Sequence, residues 1–313
     1  IRACLARTDV DAQHGAYLGY ALFKELDDLG DTDQAWRSLA EGARRKRSVV
    51  SHDPVLETRI FDALAQASPP GFIDAADVSK GPTPVFVLGM PRTGTTLLER
   101  ILGGHPDIRL CGELNDFQMQ VKWCCNHAPA EFLDARMVSL AKDIDYAELG
   151  RRYLDHVQWR APGARLFTDK NPGNFQMAGL ILRALPQARI IHLRRNPMDS
   201  CFSNLKELFA ANAHPYSYDF GDLATHYRNY SRLMAHWHSI APGRILDVHY
   251  EDMVSDPETS ARRVMDYLGL DYRAAQIRVE ASALPVSTAS SSQVRQPIHA
   301  RNIGGWKRYA EPL

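Results

Sequence analysis

VFVLGMPRTGTTLLERIL, residues Val85 to Leu102, is the stretch on which the fold turns. Val85 to Leu88 form a short apolar run that reads as a buried strand. Gly89-Met90-Pro91 then makes a tight turn, and Gly94 opens a helical pattern. The spacing from Gly89 to Gly94, followed by Thr95 and Thr96, is that of the phosphate-binding P-loop G-x-x-x-x-G-K-[ST]. Backbone N–H groups in such a loop, with the following helix N-terminus, face an anion. Arg92, Thr93, Gly94, Thr95 and Thr96 supply donors and backbone at the expected places. Yet Thr95 stands where the motif wants a lysine, so the loop lacks the group that reaches a γ-phosphate.

Downstream, strand-like runs recur at Ile108–Cys111, Arg165–Thr168, Arg189–Leu193 and Arg244–Val248, with long helical stretches between most of them. That alternation predicts an α/β fold: a P-loop-type, mostly parallel sheet flanked by helices on both faces. Ligands of such sheets lie beyond the carboxyl ends of the strands. Arg194-Arg195 follows the Arg189–Leu193 run, which places a bidentate anion grip at that end. Ser203 lies eight residues on, past a Pro197 suited to a helix start.

Upstream, Leu18, Leu22, Leu26 and Leu29 recur at helical spacing, Gly30-Asp31 breaks the pattern, and Ala35, Trp36, Leu39 and Ala43 resume it. This predicts a helical hairpin. The pattern resembles a tetratricopeptide repeat, from which Phe23 and Gly42 depart, and one repeat needs neighbours to bury its face. The expected organisation is a helical, tetratricopeptide-like segment over residues 1–67, a Pro/Gly-rich linker over 68–83, and an α/β domain over 84–313. The chain begins at Ile1 without methionine, so residues 1–67 are expected to belong to a longer helical region.

Composition narrows the function classes. The 313 residues carry 37 Lys plus Arg against 37 Asp plus Glu, a formal net charge of zero. A nucleic-acid binder relies on a basic surface, so that class is disfavoured. No apolar run approaches the roughly 20 residues of a membrane span. Five irregularly spaced cysteines fit free thiols and a cytoplasmic location better than a disulfide framework. No Cys/His spacing matches a zinc site, so no metal is expected.

PRTGTTLLERIL together with RRNPMDSCFS resembles the two signature loops of sulfotransferases that use 3′-phosphoadenosine 5′-phosphosulfate. The resemblance implies that the first loop holds the 5′-phosphosulfate and that Arg195 and Ser203 hold the 3′-phosphate. It accounts for the missing lysine, since this donor has no γ-phosphate. Arg92 falls where many members carry lysine. HPDIRLCGE, His105 to Glu113, is similar to a stretch of tyrosylprotein sulfotransferases whose glutamate is the general base, which implies that role for Glu113. Lys170, in LFTDKNPGNF, matches a lysine near the donor's bridging oxygen. SSSQVRQPI resembles a segment that implies Ser291 as an active-site serine, with Ser290 as the alternative. Arg295 and Lys307, the latter in GGWK, are implied as further phosphate contacts, and Tyr250 in VHYEDMVSDP as a neighbour of the adenine. With the N-terminal hairpin the whole is similar to bacterial tetratricopeptide-repeat sulfotransferases.

The reading is therefore sulfuryl transfer from 3′-phosphoadenosine 5′-phosphosulfate to an acceptor hydroxyl on a small molecule, carbohydrate or protein. Glu113 is the base; Lys170, Arg92 and Ser291 assist. A protein partner on the helical hairpin is a further expectation. Two rivals stand beside it. A P-loop kinase or nucleotide triphosphatase would want the loop lysine and a strand-end aspartate for magnesium. A non-catalytic scaffold would use the hairpin and keep only a vestigial nucleotide site. Should Glu113 fail as base, His105 and His127 are next.

Overall fold

The computed structural model describes residues 1–74, 81–279 and 297–313. Five strands form one sheet: β1 Thr83–Gly89, β2 Ile108–Arg109, β3 Leu166–Asp169, β4 Arg189–Arg194 and β5 Ile245–His249. Their order is β2-β3-β1-β4-β5, and every pairing is parallel. All five strands expected from the sequence are present. β1 is buried from Pro84 to Gly89, as a strand covered on both faces must be. The second strand is shorter than expected. Its ladder stops at Arg109, because the Cys111 N–H turns aside to the Thr168 hydroxyl at 3.1 Å and Gly112 reverses the chain at φ +72°.

Side-chain alternation splits the sheet into two apolar faces. Val85, Val87, Ile191, Leu193 and Val248 share one core with Leu98, Ile101 and Leu102 of the Thr95–Gly103 helix and with Met253, Val264 and Met265. The last three come from helices Tyr250–Ser255 and Pro257–Leu268. Phe86, between two of those strand residues, faces the opposite way. Its ring stacks on Tyr153 at 5.7 Å and meets Phe117 edge-on at 6.0 Å. Those rings belong to helices Tyr146–Val157 and Asp116–Cys124. Helices thus cover both faces, as expected.

The chain divides into two compact units. One comprises residues 59–195 and 230–300 and contains the whole sheet. The other is assembled from 1–58, 196–229 and 301–313. In that second unit the predicted hairpin is formed by helices Ala12–Asp28 and Thr32–Val49. Gly30, at φ +78°, and the N-cap carboxylate of Asp31 make the turn between them.

Its buried face differs from the leucine stripe read in the sequence. Gly15, Ala16, Gly19, Tyr20, Phe23 and Leu26 are buried, whereas Leu29 is 81% exposed. The cause is a glycine crossing. A Cβ on Gly19 would lie 2.8 Å from the Gly42 Cα, so the two backbones approach where neither residue has a side chain. Gly42, a departure from the repeat consensus, is thereby a packing requirement. Gly19→Ala is expected to destabilise this unit by about 1–3 kcal/mol, as overpacking of a tight contact does. Thermal unfolding of the variant checks this; an unchanged melting temperature would contradict the crossing.

Candidate active site

The strand order reverses around β1, and its carboxyl end opens into the Gly89–Gly94 loop. Gly89 takes φ +150° and Gly94 φ +102°, while Arg92 is left-handed at φ +66°, an uncommon conformation for a residue with a side chain. The Thr93 hydroxyl donates to the Met90 carbonyl at 2.8 Å and closes the turn. Gly94 caps the Thr95–Gly103 helix, whose first residues, Thr95 and Thr96, are buried.

The neighbouring strand ends supply two further expected residues. Arg195, just beyond β4, donates from Nη1 to the Arg92 carbonyl at 3.0 Å. Its guanidinium lies 4.5 Å from the centroid of the Tyr250 ring. Tyr250 follows β5, and its ring packs so closely on Gly94 that a Cβ there would be 2.7 Å from it. The loop, Arg195 and Tyr250 thus form one cluster, as expected for residues drawn from three strand ends.

A second cluster joins β2 and β3. Lys170 follows Asp169, the last residue of β3, and forms an ion pair with Glu113. The lysine side chain is 1% exposed and the glutamate 48%, so the pair presents a carboxylate to solvent above a buried cation. The Lys170 N–H donates to the Gly112 carbonyl at 2.9 Å, and the Asn171 amide donates to the Leu114 carbonyl at 3.0 Å. Two expected catalytic residues, 57 positions apart in the chain, are brought into contact.

Other expected residues are placed differently. Ser203 is buried on helix Pro197–Leu205, and Lys307 is exposed in the short helix Gly305–Tyr309; both belong to the smaller unit, whereas Arg195 belongs to the sheet unit. Within the smaller unit the Gly304 N–H donates to the buried Asp199 carboxylate at 2.7 Å, which ties the GGWK turn to the Ser203 helix. Ser290, Ser291 and Arg295 lie outside the described residues. The two reserve histidines are occupied. His105 is buried with Nδ1 accepting from the Asp107 N–H at 3.1 Å, and His127 Nε2 lies 2.7 Å from the Asp134 carboxylate.

The strand-end aspartate that the kinase rival wants is present beside β1, as Asp169 of β3. Asp169 is fully buried on the Phe86 face, where it accepts from the Tyr153 hydroxyl at 2.9 Å and the Asn174 amide at 3.1 Å. Burial pushes its carboxyl well above the usual range, only partly opposed by those hydrogen bonds. Its carboxylate is committed to that face. Among the described residues one group has metal-ligand reach, His192, His238 and Asp247. Asp247 Oδ1 takes both imidazoles, at 2.8 and 2.9 Å, and its Oδ2 pairs with Arg194 at 3.1 Å.

Sequence reasoning missed Glu99 and Thr168. Glu99 Oε1 accepts from the Thr168 hydroxyl at 2.7 Å and from the Gly112 N–H at 3.0 Å. The available signal was a charged pair, Glu99-Arg100, inside an otherwise apolar helix; both are buried.

The sulfotransferase family model matches residues 84–274, well over half of the chain. The chain belongs to the sulfotransferase family. It is 29% identical over 97% of its length to an uncharacterized protein of Aquifex aeolicus, and spans 41% of that protein. It is 21% identical over 71% of its length to a protein-tyrosine sulfotransferase of Drosophila melanogaster, and spans 46% of that one. The chain thus covers less than half of either relative. Among solved structures, the sulfotransferase domain from the curacin biosynthetic pathway is 21% identical, covers 73% of this chain and 92% of its own, and has a TM-score of 0.49.

Proposed function

We propose that the chain transfers a sulfuryl group from 3′-phosphoadenosine 5′-phosphosulfate to an acceptor hydroxyl. The observation that carries this reading is the Glu113–Lys170 pair at the same carboxyl end of the parallel sheet as a lysine-free glycine loop. The donor's 5′-phosphosulfate would lie on the loop N–H groups and the helix N-terminus, with Arg92 at its side. Arg195 would hold the 3′-phosphate, together with Ser203, and Tyr250 would flank the adenine. Ser291, Arg295 and Lys307 complete the proposed set.

Glu113 takes the proton of the acceptor hydroxyl. The acceptor oxygen forms a bond to sulfur as the bond from sulfur to the bridging oxygen breaks. The charge left on the 5′-phosphate oxygen is met by Lys170 and Arg92. In-line transfer of this kind depends on position and charge, and the loop needs no γ-phosphate lysine for it. The family and the protein-tyrosine sulfotransferase relatives support a hydroxyl acceptor, and phenols are the first class to test. A partner-binding tetratricopeptide-like role for the hairpin, and a cytoplasmic setting, belong to the same proposal; no helix among the described residues is long and apolar enough to cross a membrane.

Two measurements test the donor site. Calorimetry is expected to show tight binding of adenosine 3′,5′-bisphosphate and much weaker binding of adenosine 5′-phosphate. Arg195→Ala should remove about 2–5 kcal/mol from the former, the range for losing one partner of a buried charge pair. Equal affinity for both nucleotides would refute the 3′-phosphate assignment. Turnover is also expected to persist in chelator. Activity lost there and restored by magnesium would favour the kinase reading.

A further inference from the structure

We propose that Glu99 is a positioning residue that fixes the Glu113–Lys170 pair, an inference resting on the sulfuryl-transfer reading above. Glu99 lies one helical turn past Thr95 and is 7% exposed. A single oxygen, Oε1, accepts from two segments: from the Gly112 N–H, next to Glu113, and from the Thr168 hydroxyl, two residues before Lys170. Thr168 in turn accepts from the Cys111 N–H at 3.1 Å, and Lys170 donates its backbone N–H to Gly112. Four hydrogen bonds therefore lock the two segments together, and the Glu99 carboxylate is the shared acceptor in two of them.

Beyond these bonds the turn is held by the Asn171 amide on the Leu114 carbonyl and by the Glu113–Lys170 pair itself. β2 is two residues long, and nothing lies within 4 Å of where a Gly112 Cβ would be. Gly112 itself sits at φ +72°, a conformation open to many alternatives in a glycine. Placing a carboxylate here has a cost, since burial raises the Glu99 carboxyl above its ordinary range. Hydrogen bonds from Thr168 and Gly112, and the nearby Lys170 charge, oppose that rise. The helix carrying Glu99 also starts where the glycine loop ends, so one rigid element sets both the donor phosphate site and the direction of the base.

The test compares Glu99→Ala, Glu99→Gln and Thr168→Val. Adenosine 3′,5′-bisphosphate affinity, transfer to phenol, and hydrogen exchange at the Gly112 amide are measured on each. Glu99→Ala is expected to keep nucleotide affinity within about threefold while kcat falls by roughly a hundredfold, the scale of a 1 Å misplacement. Glu99→Gln should recover most of that rate, because its amide oxygen can accept both bonds. Combining Glu99→Ala with Glu113→Gln should add little to the loss from Glu113→Gln alone, since both act through one group. A merely structural role would give multiplying losses, and that result overturns the proposal. Exchange at Gly112 reads the positioning apart from the chemistry. Protection lost in Glu99→Ala and kept in Glu99→Gln is expected even if Glu113 is not the base; unchanged protection overturns the inference. Should Glu99→Ala fail to fold, Thr168→Val, which removes one of the two donors, is expected to lower kcat with nucleotide affinity unchanged. Wild-type kcat in that folded variant counts against the network.

Discussion

Glu113→Gln is expected to lower transfer by roughly a hundredfold or more, the usual range for a positioned general base. The substitution keeps the side chain's size and leaves an amide oxygen to accept from Lys170, so the buried lysine retains a hydrogen-bond partner. What is lost is the ability to take a proton. Donor binding should survive, because the glutamate belongs to the β2–β3 cluster, whereas Arg195 and Tyr250 belong to the cluster beyond β4 and β5. The loss should appear in kcat and in kcat/KM alike, since the proton transfer belongs to the transition state. 4-Nitrophenol should suffer less than phenol, because the more acidic hydroxyl needs less help. Near-wild-type turnover of phenol by the glutamine variant would refute the role. His105 and His127 are poor substitutes, as one ring nitrogen of each is already engaged, by the Asp107 N–H and the Asp134 carboxylate, and His105 is buried.

The fold was legible where backbone constraint and hydrophobicity coincide. The apolar run from Val85 and the Gly89–Gly94 spacing specify strand, loop and helix together, and Arg194-Arg195 marks a strand end by charge alone. Contacts between segments distant in the chain were not legible from spacing. The burial of Glu99 in an otherwise apolar helix is explained only when the Thr168 hydroxyl of β3 and the Gly112 N–H of the turn after β2 donate to its carboxylate. Asp169 was overlooked for a similar reason: its partners Tyr153 and Asn174 come from a helix and a turn on one face of the sheet. The leucine stripe of the first hairpin helix misled because hydrophobicity outweighed size in the reading. Gly19 and Gly42 set which face is buried, and glycine carries no hydrophobic signal. The Glu113–Lys170 contact was implied as two roles in one site by the family resemblance, while their direct pairing comes from the structure.

Gly89→Ala is expected to be the most damaging single-methyl change in the sheet. Gly89 is the last residue of β1 and pairs with Leu193 of β4. At φ +150° its backbone adopts a conformation that L side chains rarely reach. A Cβ would also lie 2.5 Å from the Leu193 carbonyl oxygen, a backbone atom in the adjoining strand. Neither partner can rotate away, because Leu193 is fully buried between β1 and β5 and the ladder holds both backbones. Relief requires β1 and β4 to part where the loop and Arg195 leave the sheet. Backbone strain and overpacking each cost about 1–3 kcal/mol, so a combined loss of roughly 3 kcal/mol or more is expected. At about 2–4 °C per kcal/mol the melting temperature should fall by roughly 6–12 °C. Gly243→Ala is the control. Gly243 has φ +74°, yet nothing lies within 4 Å of its Cβ position, so only the conformational cost of about 1–2 kcal/mol applies. If the two variants melt together, the close approach of β4 to the loop is wrong. If Gly89→Ala melts far lower and the folded fraction also binds adenosine 3′,5′-bisphosphate weakly, the same carbonyl contact sets both the sheet edge and the shape of the anion loop.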